Sequence, residues 1–199
     1  MTEREWDRRL HVRTIGREGE ANANYAPYEP TPYAVLERLA ASGHIRRKHH
    51  LLDYGCGKGR VAFYLASVVG CRVTGIDQSQ KLIDLARENR RASGLGDRVV
   101  LTCSLAEQYA PGPENAFFFF NPFSEVIFAG VLRRLTQSWY ENPRELLIFC
   151  YYPSEEYLRC LEETPELCPV DDIDCRDLFG GRNPREHIAV YAFPKQAQT

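Results

Sequence analysis

No apolar stretch in this 199-residue chain approaches the ~20 residues a helix needs to cross a bilayer, so no membrane-spanning helix is expected in it. The opening MTEREWDRRL has no apolar segment behind its charges, so no secretory leader is expected either. Neither sign of charge is in excess. The 25 Lys and Arg stand against 27 Asp and Glu, a formal net charge of −2, which gives no global pull toward nucleic acid or an anionic membrane. None of the seven cysteines, Cys56, Cys71, Cys103, Cys150, Cys160, Cys168 and Cys175, belongs to a C-x-x-C pair. That pattern excludes the usual zinc spacing and fits free thiols in a reducing cytoplasm better than a disulfide framework. The five histidines are scattered, and no carboxylate or histidine spacing suggests a metal.

What is present is a core. Apolar residues make up 44% of the chain and aromatics 12%, enough at this length for one well-buried domain. Residues 1–30 read as a charged N-terminal arm with a helix over 3–13. Thr31-Pro32 reads as the start of the next helix, a capping hydroxyl followed by proline. From there strands alternate with helices: strands at 50–54, 71–77, 98–103, 116–120 and 145–152, helices at 59–70, 79–94, 124–139 and 154–163. The rhythm changes at the end, where 168–177 and 186–193 read as two strands with no helix between them. The fold class this implies is α/β: a doubly wound, seven-stranded, mostly parallel sheet closed by a C-terminal antiparallel hairpin. The tail after Phe193 is expected to fray. The domain reading is an arm over 1–30, a candidate lid, and a ligand-binding domain over 31–199.

The sharpest local signal is LLDYGCGKGR, residues 51–60. A buried strand ends on Asp53, glycines follow at 55, 57 and 59, and a helix opens at once. Glycine permits positive φ and lets a ligand approach the backbone, while the helix start offers N–H groups to an anion. Lys58 and Arg60 flank the last glycine and read as exposed cations that either attract an anion or face solvent. The third glycine comes one residue too early for the G-x-G-x-x-G of dinucleotide-binding turns. A second acid, Asp77, closes the next strand, where it suits either the two hydroxyls of a ribose or the cap of the helix that follows.

With Asp53-Tyr-Gly55-Cys-Gly57-Lys-Gly59, Asp77 and the element order over roughly 32–193, the chain resembles the class I, Rossmann-like, S-adenosylmethionine-dependent methyltransferases. That family also closes its sheet with an antiparallel hairpin. The resemblance implies S-adenosylmethionine as cofactor. Gly55, Gly57 and Gly59 would pass under its methionine part, Asp53 would orient its amino group, and Asp77 would hold the ribose. Gln78 or Ile76 would lie near the adenine. Ser104 stands where the family often has an acid, so backbone N–H of Leu105 or Ala106 would meet the adenine instead.

The run AFFFFNPF, residues 116–123, completes the reading. A central strand covered on both faces is apolar throughout, so Phe117 to Phe120 read as core. Asn121 then marks the strand's emergence at the site, with Pro122 restraining it to extended backbone and Phe123 beginning a pocket wall. An asparagine carbonyl accepts a hydrogen bond from an amine and so aims its lone pair; Asn121 is therefore the candidate catalytic residue, with a cap for the helix near Ser124 as the structural alternative. N-methyltransferases of nucleobase amines or glutamine carry Asn/Asp-Pro-Pro-Tyr/Phe here, and this chain is one proline short. Pro122, Phe123, Tyr28 and Tyr151 are the expected substrate-pocket residues. The expected function is methyl transfer to a small acceptor, nitrogen favoured over oxygen, with the acceptor's class (small molecule, nucleic acid or protein) open. The alternatives are a non-catalytic cofactor-binding domain of the same fold and an NAD-dependent oxidoreductase.

Overall fold

The computed structural model describes residues 1–19 and 24–195. Its seven strands are β1 (His50–Tyr54), β2 (Arg72–Asp77), β3 (Val99–Cys103), β4 (Ala116–Phe119), β5 (Leu146–Tyr151), β6 (Cys168–Asp174) and β7 (His187–Phe193). They form one sheet in the order β3-β2-β1-β4-β5-β7-β6. Strands β1 to β5 are parallel, whereas β7 runs antiparallel to β5 and β6 antiparallel to β7. The helices are α1 (Glu3–Leu10), α2 (Tyr33–Ala41), α3 (Arg60–Val68), α4 (Gln80–Ser93), α5 (Glu125–Glu141) and α6 (Glu155–Glu162). None of them is long and apolar enough to cross a membrane.

The phenylalanine run explains itself in the sheet. Phe118 enters the hydrophobic cluster on one face with Leu51 and Phe63, while Phe117 and Phe119 enter the cluster on the other with Leu52 and Phe128. Alternation is invisible in the sequence because both faces are dry. Helix α4 has the ends its sequence promises: Ser79 caps it from its side chain and Gly94 ends it in the left-handed region.

Three local expectations are corrected. The first helix stops at Leu10, not residue 13, because His11 turns left-handed at φ 56°. Thr31 does not cap α2: the helix begins after Pro32 with no side-chain cap of its own, and the Glu3 carboxylate of α1 accepts from the Tyr33 N–H at 3.0 Å instead. A short 3-10 turn, Arg176–Phe179, does fit between β6 and β7. Beyond Phe193 the chain is still held at Pro194, whose carbonyl accepts from Trp139 Nε1 at 3.0 Å; residues 196–199, on which the fraying expectation also falls, lie outside the described residues.

The N-terminal arm is part of the body. Trp6, Leu10 and Val12 lie in the same cluster as Leu36, Phe63 and Leu65. Asp7 is buried and accepts from the Thr14 backbone and hydroxyl and from the Tyr33 hydroxyl, at 2.6–2.8 Å.

Candidate active site

The carboxyl ends of β1, β2, β4 and β5, the loop after β3 and the segment entering β7 open into one cavity of about 690 Å³. This is where a doubly wound sheet leaves its crevice, on either side of the point at which strand order reverses between β1 and β4. Of the cofactor residues expected from sequence, Asp53, Gly55, Asp77, Gln78 and Ser104 line it. Asn121, Pro122, Phe123, Tyr28 and Tyr151 line it as well. Gly57, Gly59 and Leu105 do not.

The glycine turn accounts for two of those absences. A Cβ on Gly57 would strike the Tyr28 ring, and one on Gly59 would strike the Phe63 ring. These glycines make room for the protein's own side chains; Gly55, at φ 74°, does the same for Pro122 but also lines the cavity. All three have positive φ, which a residue with a side chain adopts only at a cost.

The turn's amides are also spoken for. Gly55 and Cys56 both donate to the Ile76 carbonyl at 2.9 Å, Gly57 donates to Asp77 Oδ2 at 2.9 Å, and Gly59 donates to the Cys56 carbonyl at 2.7 Å. Those bonds occupy the amides of the turn itself, three of them at the end of β2, whereas α3, where the sequence pointed for an anion, starts at Gly59 without a side-chain cap. Asp77 carries the Ser79 N–H on its other oxygen at 2.8 Å. Burial raises its pKa above the usual carboxylate range and those two N–H groups oppose the rise. Each Asp77 oxygen keeps acceptor capacity toward the cavity.

Asp53 differs. It is 3% exposed, and its Oδ2 is buried without a hydrogen-bond partner among the described residues. Burial, with the Asp77 carboxylate nearby, pushes its carboxyl up to about 8. A buried, unsatisfied carboxylate oxygen at a cavity wall is costly unless a ligand completes it.

Lys58 and Arg60 are buried, not exposed, and each is paired with a carboxylate of the arm, which corrects the sequence reading. Lys58 is buried, paired with Glu18 at 2.6 Å, and lies over the Tyr28 ring. Arg60 is 2% exposed, pairs with Glu3, donates to Thr14 Oγ1 at 2.7 Å and to the Thr31 carbonyl at 3.2 Å, and lies over the Tyr33 ring. Two cations at the start of α3 thus clamp the arm onto the glycine turn.

The arm continues across the cavity. Ala26 N–H donates to the Pro122 carbonyl at 3.1 Å, Ser124 N–H to the Asn24 carbonyl at 2.8 Å, and Tyr25 pairs with Phe123 as an antiparallel bridge. The Tyr25 hydroxyl donates to Glu107 at 2.6 Å. Residues 24–28 so join the loop after β4 to the loop after β3.

Asn121 sits at φ 40°, left-handed and not extended; its tertiary bonds override the restraint from Pro122. Its Nδ2 donates to the Tyr152 carbonyl at 2.6 Å and its Oδ1 accepts from the Ser154 N–H at 3.3 Å. The amide braces the exits of β4 and β5 and is not a cap of α5, whose cap position is Ser124. Its carbonyl oxygen keeps one acceptor site.

Sequence reasoning missed Glu186, Lys81 and Phe120, which also line the cavity. A carboxylate entering the final strand was the one available signal for Glu186. Phe120 read as core because strand and exit share one letter run.

Residues 51–137 match a family model described as a methyltransferase domain. The 27-O-demethylrifamycin SV methyltransferase of Amycolatopsis mediterranei is 30% identical over 112 residues, which is 56% of this chain and 39% of that protein. The release factor glutamine methyltransferase of Chlorobaculum tepidum is 42% identical over 67 residues, 33% of this chain and 23% of that protein. The chain spans well under half the length of these curated relatives. Among solved structures, an RNA methyltransferase from Salinibacter ruber in complex with S-adenosyl-L-homocysteine superposes with a TM-score of 0.60 at 18% identity, covering 85% of this chain and 97% of that one.

Proposed function

We propose that this chain is a class I, Rossmann-like, S-adenosylmethionine-dependent methyltransferase and that it transfers the methyl group of S-adenosylmethionine to a small acceptor, nitrogen favoured over oxygen, a reading supported by the methyltransferase-domain match over residues 51–137 and by the methyltransferase relatives. The observation that carries the reading is Asp53: a buried carboxylate oxygen without a partner at the cavity wall fits the ammonium of an amino-acid-bearing nucleoside. Asp77, with acceptor capacity left on both oxygens, fits the ribose hydroxyls, and Gln78, Ser104 and Ala106 line the side where the adenine would rest. When bound, the cofactor supplies an electrophilic methyl on a sulfonium.

The protein's part is alignment and exclusion of water. The Asn121 amide is fixed by two hydrogen bonds, so its remaining carbonyl lone pair is a preset acceptor for an N–H of the incoming nucleophile. Residues 24–28 act as the cover over the cavity, and Tyr28 and Phe123 form its inner wall. Unpaired thiols at all seven cysteines support a cytoplasmic location. The dinucleotide alternative lacks support in the spacing of the turn, whose third glycine comes one residue too early for G-x-G-x-x-G.

Isothermal titration with S-adenosylmethionine, S-adenosylhomocysteine and NADH tests the reading. Binding of the first two and not the third is expected; binding of NADH alone would reject it. Asp77→Ala is expected to weaken S-adenosylmethionine by about 1–3 kcal/mol, the cost of stranding buried hydrogen-bond groups. Unchanged affinity would remove its ribose role.

A further inference from the structure

The cavity has two ends. Asp53, Gly55, Asp77 and Ser104 lie along β1, β2 and the loop after β3, whereas Phe120, Tyr151, Tyr152 and Glu186 lie beyond β4, β5 and the start of β7. Charge is matched on the first side. Of the cavity's cations, Arg17 pairs with Glu29 at 2.5 Å, Lys81 with Glu18 at 3.0 Å, and Arg60 with Glu3. Asp77 holds two backbone N–H groups. Asp53 is assigned above to the cofactor's ammonium.

Glu186 is what remains. Among the described residues no cation pairs with it, and its side-chain contact is the Tyr151 hydroxyl, which donates to Oε2 at 2.7 Å. Burial first, then that hydrogen bond, raises the pKa of the Tyr151 phenol, so it stays a donor. A carboxylate offers about four acceptor sites, so most of Glu186 is unused. Rings stand around it. The Phe120 centroid is 4.8 Å from Tyr151 and 6.4 Å from Tyr152, and Tyr151 is 6.1 Å from Tyr152. The Arg185 guanidinium covers one face of Tyr152 at 4.2 Å and donates to the Tyr152 and Pro153 carbonyls, and Asn183 donates to the Tyr152 hydroxyl at 2.8 Å. Those bonds hold Tyr152 at φ 53°, a left-handed geometry unusual for an aromatic residue. The ring wall is therefore fixed before any ligand arrives.

We propose that this end of the cavity is the acceptor subsite, and that it takes an amine carried on a flat ring and bound as its ammonium: Glu186 accepts the ammonium N–H and takes the proton that must leave before the nitrogen lone pair can attack the methyl, and Phe120, Tyr151 and Tyr152 line the ring. Aromatic faces and an unpaired carboxylate both favour a cation, and both disfavour an acid. The inference deepens the methyltransferase reading and rests on it.

The test uses the whole chain saturated with S-adenosylhomocysteine, into which phenethylamine, 2-phenylethanol and phenylacetate are titrated separately. The three probes share a ring and differ in charge. Phenethylamine is expected to bind at least tenfold more tightly than the alcohol, with phenylacetate weakest. Glu186→Gln, whose amide oxygen still accepts from Tyr151, is expected to erase the preference for the amine and to leave S-adenosylhomocysteine affinity unchanged. Phe120→Ala, a second variant independent of Glu186, is expected to weaken all three probes together. Equal binding of the three, no binding of any to the loaded protein, or a preference that survives Glu186→Gln overturns the subsite. Failure of S-adenosylhomocysteine to bind at all overturns the cofactor reading instead, and the subsite with it.

Discussion

At Asp53 the fold holds a carboxyl out of water with one oxygen unpartnered and an acid for a neighbour, which is why its proton is held up to about 8. A cationic amino group placed against it reverses both causes and favours the ionised form. The sign follows: below pH 8 the free protein carries a proton that the complex gives up, so binding releases it. Affinity for S-adenosylmethionine is expected to rise with pH up to about 8, by as much as tenfold per unit, and to fall again above it as the ligand's own amino group loses its proton. Asp53→Asn is expected to weaken binding and flatten that profile. Titration calorimetry from pH 6 to pH 9 in buffers of different ionisation enthalpy reads both the affinity and the proton; a pH-independent affinity in the parent protein would remove Asp53 from the ammonium site.

Among the elements, the arm and the glycine turn form one mechanical unit. Arg60 and Lys58 at the head of α3 reach back to Glu3 and Glu18, and Tyr28 rests its ring on the space that Gly57 leaves. Gly57→Ala is expected to cost about 1–3 kcal/mol in urea unfolding, from a Cβ at positive φ (53°) and from overlap with the Tyr28 ring. Tyr28→Ala makes room for that methyl, so the double variant is expected to be more stable than the sum of the single effects predicts. Strict additivity would mean that Tyr28 does not press on the turn. The same contact predicts that Gly57→Ala exposes residues 24–28 to proteolysis, because their bonds to Pro122 and Ser124 depend on the arm's position.

On the scale of the whole molecule, the sheet order puts β1 and β4 at the centre and opens one cavity across their exits. A ligand there contacts residues from both halves of the sheet and from the arm, so its binding energy is read by the global unfolding transition. S-adenosylhomocysteine at one hundred times its dissociation constant is expected to add about 2.7 kcal/mol, and to raise Tm by roughly 5–10 °C for a chain of this size. Differential scanning fluorimetry checks this. No shift at saturation would mean that the cavity closes on something else.

The sequence alone determined the framework. The order of strands and helices, the final hairpin, the apolar run of β4 and the turn from Asp53 to Gly59 follow from periodicity, glycine and buried faces, which are local properties. It also named Asp53, Asp77 and Asn121 as residues at strand ends. Tertiary structure decided which groups meet. Lys58 and Arg60 read as exposed and are buried, because the acids that pair with them lie about forty and fifty-seven positions away in the arm. Asn121 read as extended and is left-handed, because Tyr152 and Ser154, from the next strand's exit, hold its amide. Glu186 and the ring wall converge only when β7 docks antiparallel on β5. A chain's own pattern specifies what is local; hydrogen bonds and ion pairs between distant segments exist only once the sheet has brought those segments together.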